Sequence, residues 1–178
     1  MERIKLHDVG RVTNYIEYDI RKTFDEVLKE EKYLRGSHVR KFEEQWMKYT
    51  GAEECATVTS GTDALHTAGI IANIKPGDEV IIPAHTFIST AEAFMNLGAK
   101  LKYVDAKISD YCINEDKIEK QITNKTKAIV WTDINGQTPD VDKIVKVAKK
   151  HKICLLYTSP SPRDQRGSGM AGCGWKKK

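Results

Sequence analysis

Between residues 55 and 153, short apolar runs alternate with segments of helical periodicity, and few folds accept that alternation. Residues 55–59 form a β-prone run, and a mostly apolar helical segment follows over residues 65–74. Lys75-Pro76-Gly77-Asp78 is a turn. Glu79-Val80-Ile81-Ile82-Pro83 is a continuous apolar run, the kind that suits a parallel strand covered on both faces. Residues 86–97 read as a helix closed by Gly98, and residues 100–104 as a strand ending at Asp105. Residues 114–122 read as a short helix, residues 127–131 as a strand, and Asn135-Gly136 as a turn. Thr138-Pro139 offers a helix start, a capping hydroxyl followed by Pro at the first helical position. Val141, Ile144, Val145 and Ala148 make that helix's inner stripe, and Ile153 opens one more strand. The pattern predicts an α/β fold: a mostly parallel sheet flanked by helices, with right-handed crossovers.

Two amphipathic helices precede this alternation. Ile16, Ile20, Phe24, Val27 and Leu28 follow one helix face, with Arg21, Lys22, Asp25 and Glu26 opposite. Gly36 breaks the pattern. Val39, Phe42, Trp46 and Tyr49 line a second helix, which Gly51 ends as a C-cap glycine.

The net charge of +4 invites a nucleic-acid reading, but it is local. Residues 1–156 hold 24 basic and 24 acidic residues, so the excess sits in residues 157–178 alone. That tail contains no Val, Ile, Leu or Phe. It cannot bury enough apolar surface to offset the entropy of ordering it. Leu155-Leu156-Tyr157-Thr158-Ser159-Pro160-Ser161-Pro162-Arg163-Asp164 also resembles translated sequencing-adapter read-through. On that reading, residues 154–178 are a non-native disordered tail, and the genuine protein departs from this sequence near Ile153. No apolar run approaches the ~20 residues of a membrane helix. Met1-Glu2-Arg3-Ile4-Lys5 lacks the apolar region of a signal peptide. Cys55, Cys112, Cys154 and Cys173 show no metal spacing, and read as reduced thiols of a cytoplasmic protein.

Ligands in such sheets bind beyond the carboxyl ends of the strands. Three segments are expected there: residues 60–63, 83–87 and 133–137. In the first, Ser60, Gly61, Thr62 and Asp63 stand at the start of a helix. Unpaired N–H groups, the helix dipole and two hydroxyls suit a phosphate. Simple capping by Ser60 or Thr62 is the alternative. Phe87 either stacks on a flat ligand or belongs to the core. His85 either contacts substrate, with a proton to carry, or is a polar loop residue. Asp105 is a site carboxylate or a turn residue. The chain has neither GxGxxG nor GxxxxGK[ST], so neither a Rossmann dinucleotide site nor a P-loop is supported.

From about residue 33 to residue 153 the chain resembles the N-terminal part of the DegT/StrS-type sugar aminotransferases. These are pyridoxal-phosphate enzymes of the aspartate-aminotransferase fold (type I). The resemblance is carried by Gly36-Ser37-His38-Val39-Arg40-Lys41-Phe42-Glu43, Thr59-Ser60-Gly61-Thr62-Asp63-Ala64-Leu65, Pro76-Gly77-Asp78-Glu79-Val80-Ile81-Ile82-Pro83, His85-Thr86-Phe87, Gly98-Ala99, Val104-Asp105 and Thr126-Lys127-Ala128-Ile129, in order and at matching gaps.

The resemblance implies that residues 1–153 are the N-terminal part of the cofactor-binding large domain. It implies that Ser60, Gly61, Thr62 and the Asp63 amide hold the cofactor phosphate, that Phe87 stacks on its pyridine ring, and that His85 lies near cofactor and substrate. It implies amino transfer, usually from glutamate, to a nucleotide-linked keto-sugar, in a homodimer. Two family features find no match here: an acidic residue facing the pyridinium nitrogen, with a Gln soon after, and the Lys that forms the Schiff base. Lys176, Lys177 and Lys178 lie outside any family motif. The smaller second domain is also missing, and Asp133 stands where many members have His. The chain is therefore expected to be catalytically inactive by itself. Relatives with His in the Lys position, which deoxygenate sugars, and non-catalytic or regulatory relatives are the alternatives.

Overall fold

A computed structural model describes residues 9–158. The chain falls into two compact units, divided between Thr57 and Val58.

In the second unit four strands form one parallel sheet, in the order β2-β1-β3-β4. They are β1 (Glu79–Pro83), β2 (Lys100–Val104), β3 (Thr126–Thr132) and β4 (Cys154–Thr158). Successive strand residues point to opposite faces, and the core divides accordingly. Val80, Ile82, Ala128, Val130 and Leu156 meet Leu65, Ala68, Ala91 and Phe94 on one face. Ile81, Ile129 and Trp131 meet Ile113, Ile118, Ile144 and Ala148 on the other. A strand buried on both faces cannot alternate polar and apolar, which is why residues 80–83 and 128–131 are continuous apolar runs.

Helices α3 (Gly61–Ile71) and α4 (Ile88–Met95) cover the first face. They approach closely because Gly69 has no side chain: a Cβ there would lie 2.5 Å from Leu97 Cδ1. His66 Nδ1 meets the Ala93 carbonyl at 3.1 Å across the same seam. The short helix α5 (Glu115–Ile118), its 3-10 continuation Glu119–Gln121, and α6 (Val141–His151) cover the second face.

The sequence expectations hold for this unit with three differences. Residues 55–59 form no strand. β-prone residues make a strand only beside a partner that completes their ladder, and the Thr57 N–H goes instead to Glu43 Oε1 at 2.9 Å. The cap of α6 is Asp140, whose Oδ1 accepts from the Lys143 N–H at 3.1 Å, rather than Thr138. Aspartate is the stronger capping residue, so Pro139 stands outside the helix; Val147 rather than Val145 packs, half-buried, against the buried cluster. Finally, residues 154–158, assigned by the sequence to a disordered tail, are strand β4. Each pairs in register with β3, from Cys154 against Ala128 to Thr158 against Thr132. The remainder of that tail, 159–178, lies outside the described residues.

In the first unit, α1 (Val9–Glu30) and α2 (Ser37–Thr50) are joined by a tight connection. Gly36 occupies the N-cap of α2 without a capping side chain. Glu30 supplies the missing acceptor: its carboxylate takes the Ser37 N–H at 3.0 Å and the Ser37 hydroxyl at 2.7 Å. The hydroxyl bond, then the amide bond, hold the Glu30 carboxyl below its ordinary range. Gly51 closes α2 at φ 70°, its N–H on the Met47 carbonyl, as the sequence predicts. Glu43 is buried on this helix, and accepts both the N–H and the hydroxyl of Thr57 at 2.9 Å. The apolar stripe of α1 is present but no residue of α1 is buried.

Candidate functional site

The site elements all belong to the second unit. Three contacts join α3 to α4 and the turn just after it: His66 to Ala93, and Gly69 towards Phe94 and Leu97. The two helices therefore lie side by side with their N-termini at the same end. Helix α4 follows β1 by a short loop, so that end is also the carboxyl end of the sheet.

At the start of α3, Ser60 is the N-cap. Its backbone is extended (φ −157°, ψ 168°), and its Oγ accepts from the Asp63 N–H at 3.1 Å. The Asp63 carboxylate turns back and accepts from the Thr59 hydroxyl at 3.1 Å and the Thr59 N–H at 3.4 Å. Both readings of this stretch thus have a physical basis. Capping is real, and it engages the third amide of the turn. The N–H groups of Gly61 and Thr62 are the first two of the helix and have no acceptor within it. The Asp63 charge, tied to Thr59, is directed away from them along the preceding chain.

Phe87 stands immediately before α4 with extended backbone, and the residue is 40% exposed. The fully buried phenylalanine of this region is Phe94, so Phe87 is not core. Between Phe87 and His85, the Thr86 hydroxyl bonds the hydroxyls of both Thr90 and Thr132 at 2.9 Å. This triad, with Thr90 and Thr132 buried and Thr86 half-buried, ties the β1–α4 loop to the end of β3. The Asp133 N–H reaches the Thr158 carbonyl at 3.0 Å and ties the end of β3 to the end of β4. Asp133 Oδ1 also accepts from Trp131 Nε1 at 3.1 Å, and Trp131 stacks on Tyr157 at 5.0 Å.

His85 is exposed, with Nδ1 3.3 Å from the Tyr111 carbonyl oxygen and its ring edge-on to the Tyr111 ring. Asp105 is settled as a surface residue: its carboxylate pairs with Lys117 at 2.6 Å, and its side chain is largely exposed. Residues 134–136, at the third expected segment, form a short 3-10 turn carrying two positive-φ residues, Asn135 and Gly136.

Sequence reasoning named Ser60, Gly61, Thr62, Asp63, His85 and Phe87, and missed Thr86, Thr132 and Tyr111. Thr86 sits between two residues it did name, and a lone Thr at the end of an apolar run was the available signal for Thr132. Tyr111 is 26 residues from His85 and had no local signal. Among the described residues Cys55, Cys112 and Cys154 are free thiols, and no group of three or more His, Cys, Asp or Glu side chains is placed to hold a metal. No helix among the described residues is long and apolar enough to cross a membrane.

This architecture has known counterparts. NtdA from Bacillus subtilis, solved with bound cofactor PMP, superposes with a TM-score of 0.83 at 32% identity, over 88% of this chain and 36% of that one. Escherichia coli GDP-4-keto-6-deoxy-D-mannose-3-dehydratase, solved with bound hydrated PLP, superposes with a TM-score of 0.72 at 28% identity, over 79% of this chain and 38% of that one. In sequence, the chain is 36% identical over 147 residues to the UDP-2-acetamido-2-deoxy-3-oxo-D-glucuronate aminotransferase of Pseudomonas aeruginosa, which covers 83% of this chain. The chain spans 41% of the length of several curated relatives it matches, this one among them. The fold is that of the large domain of type I aminotransferases, represented in part. With the family model matching residues 14–160, the chain belongs to the DegT/DnrJ/EryC1/StrS aminotransferase family.

Proposed function

We propose that the full-length protein is a pyridoxal-phosphate-dependent aminotransferase that moves an amino group from glutamate to a nucleotide-linked keto-sugar. This chain supplies the phosphate-binding and ring-stacking part of its site. The observation that carries the reading is the start of α3, where two amides without intrahelical acceptors stand beside the Ser60 and Thr62 hydroxyls. A phosphate dianion gains from both the N–H groups and the helix dipole. The Asp63 carboxylate is held back against Thr59 rather than turned onto these amides.

In this reading Gly61 and Thr62 hold the phosphate, joined by the Asp63 amide once Ser60 releases it. Phe87 offers the exposed part of its ring to a flat pyridine. The Thr86–Thr90–Thr132 hydroxyl triad fixes the loop that presents Phe87 and His85. His85 meets the substrate. When bound, pyridoxal phosphate supplies the electron sink for transamination. The residues that would anchor it covalently and face its ring nitrogen are not among those identified in this chain, so the chain alone binds without turnover. The site is completed in a homodimer of the full-length cytoplasmic protein.

Likeness to a dehydratase gives the second reading, sugar deoxygenation on the same scaffold. A full-length sequence with His rather than Lys at the anchoring position selects it. The test on this chain is assay of transaminase activity with glutamate and a keto-sugar nucleotide, alongside cofactor binding. The expected result is binding without turnover. Turnover by the chain contradicts the reading.

A further inference from the structure

His85 faces the loop of residues 105–114, which joins β2 to α5. A carbonyl oxygen only accepts, so in the 3.3 Å contact with the Tyr111 carbonyl it is His85 Nδ1 that carries the hydrogen. The neutral ring then has its lone pair on Nε2. The Tyr111 ring stands edge-on to the imidazole, with centroids 5.9 Å apart and planes at 63°, and limits its rotation from the side.

Tyr111 holds this post in a left-handed conformation, φ 60°, which a tyrosine adopts only where its surroundings impose it. The surroundings are a small clamp centred on Lys107. The Tyr111 N–H bonds the Lys107 carbonyl at 2.9 Å, and the Lys107 N–H bonds the Cys112 carbonyl at 2.8 Å. The Cys112 N–H bonds Asp110 Oδ1 at 2.9 Å. The Lys107 ammonium spans the loop, 2.9 Å from Asp110 Oδ2 and 2.9 Å from Glu115 Oε1. Cys112 and Ile113, fully buried, pin the loop's inner side, and Ala106 bridges Ile113. Glu115 is itself buried, and its Oε2 has no hydrogen-bond partner among the described residues. That carboxylate therefore depends on Lys107 for compensation, and an uncompensated buried charge is costly.

We infer that Lys107 is a positioning residue for His85: with Asp110 and Glu115 it clamps the 107–112 turn so that the Tyr111 carbonyl fixes His85 as the Nδ1–H tautomer, leaving the Nε2 lone pair to accept from an O–H or N–H of the substrate. The consequence for substrate rests on the reading of His85 given above; the tautomer does not. A neutral imidazole left to itself favours the Nε2–H form, so the clamp reverses the default. A base presented this way accepts a substrate proton or hydrogen bond without first exchanging its own.

The test is the His85 tautomer, read by long-range proton–nitrogen correlation on nitrogen-15-labelled chain at about pH 8, above the ordinary range of histidine, with His85→Asn for assignment. It uses neither cofactor nor substrate, so its failure is distinct from failure of the aminotransferase reading. The wild type is expected as Nδ1–H. Lys107→Met alone leaves Glu115 uncompensated, so the working variant is the double Lys107→Met/Glu115→Gln, which removes both charges together. It is expected to return His85 predominantly to the Nε2–H form. Lys107→Arg, which restores a cation, is expected to restore Nδ1–H. Should the double variant fail to fold, Asp110→Asn opens half of the clamp while leaving the Lys107–Glu115 pair intact, and is expected to give a mixture of tautomers. A wild-type Nε2–H ring overturns the inference, as does an unchanged Nδ1–H ring in a folded double variant, or in Asp110→Asn where the double variant does not fold.

Discussion

Ser60 has two incompatible uses for its environment. As N-cap its hydroxyl accepts the Asp63 N–H, and the same N–H is one that a bound phosphate would draw on. Ser60→Ala is therefore expected to lower stability by about 1 kcal/mol, the usual value of a lost cap, measured as a shift in the urea midpoint. The amide it frees remains available to an anion, so phosphate affinity falls by less than the loss of a donor elsewhere in the cradle. At the opposite end of the sheet, Glu79 is buried and accepts the Thr123 hydroxyl at 2.6 Å. That bond, aided by Lys102, holds its carboxyl below the ordinary range. A carboxylate with a depressed folded pKa stabilises above its unfolded value, about 4.3, and loses that contribution as pH falls through the folded one. The expected outcome is that stability declines on acidification below about pH 4.3, and that Glu79→Gln flattens this decline in a pH series of thermal melts. The candidate site residues were legible because they form two contiguous phrases, residues 59–65 and residues 85–87. What was illegible was their supports. Thr132 and Tyr111 come from 46 and 26 residues away from the groups they bond, and only the folded topology brings them near.

At the scale of elements, the helices over the second face of the sheet show which interactions matter. Helix α6 is linked to α5 and its continuation by Lys143–Asp116 at 3.0 Å and by Lys150 and His151 on Glu119. These are exposed pairs, and solvent screening leaves such pairs little net effect on stability. Ile144 is fully buried on the inner face of the same helix. Ile144→Ala is expected to cost about 2–5 kcal/mol through lost contacts and a cavity, whereas Lys143→Ala is expected to leave the midpoint nearly unchanged, both read from denaturant curves. The α6 cap gives a paired test: Asp140→Ala destabilises by ~1 kcal/mol while Thr138→Ala is near neutral. The misplacement of that cap in the sequence reading has a simple origin. Thr-Pro is a good start signal, but the aspartate two residues on was the better acceptor, and boundary residues compete within a turn. The failure at residues 55–59 is of another kind. Strand propensity describes how residues fit a sheet surface; it cannot say whether a neighbouring strand is there to pair with. Strands β1 and β3 were placed correctly because they hold runs of consecutive apolar residues, and the edge strand β2 because Leu101, Tyr103 and Val104 sit between Gly98 and Asp105. Strand β4 was cut short because its last residues resemble something foreign, yet all of Cys154–Thr158 pairs with β3.

For the molecule as a whole, the parallel sheet fixes where chemistry can occur. Parallel strands with helical crossovers bring every strand end, and the start of each following helix, to one edge of the sheet. Here the Thr86–Thr90–Thr132 triad and the Asp133–Thr158 bond tie that edge together, so the loop carrying Phe87 and His85 is held by hydroxyls, two of them buried. The central claim is that the start of α3 is an anion cradle for a phosphorylated, flat cofactor. Pyridoxamine phosphate is the best probe, since it has no aldehyde to react with surface lysines. Its binding to the chain should be measured by titration calorimetry against pyridoxamine, with Thr62→Ala and Gly61→Pro as variants. Proline suits the first position of a helix and follows the extended Ser60 without conflict, so Gly61→Pro removes one N–H while keeping α3. The account predicts saturable one-to-one binding of pyridoxamine phosphate, competition by inorganic phosphate, and much weaker binding of pyridoxamine. It predicts a loss of roughly tenfold or more in Gly61→Pro, in line with one charge-assisted hydrogen bond. Equal binding of the two probes, or full affinity in a folded Gly61→Pro, would contradict it.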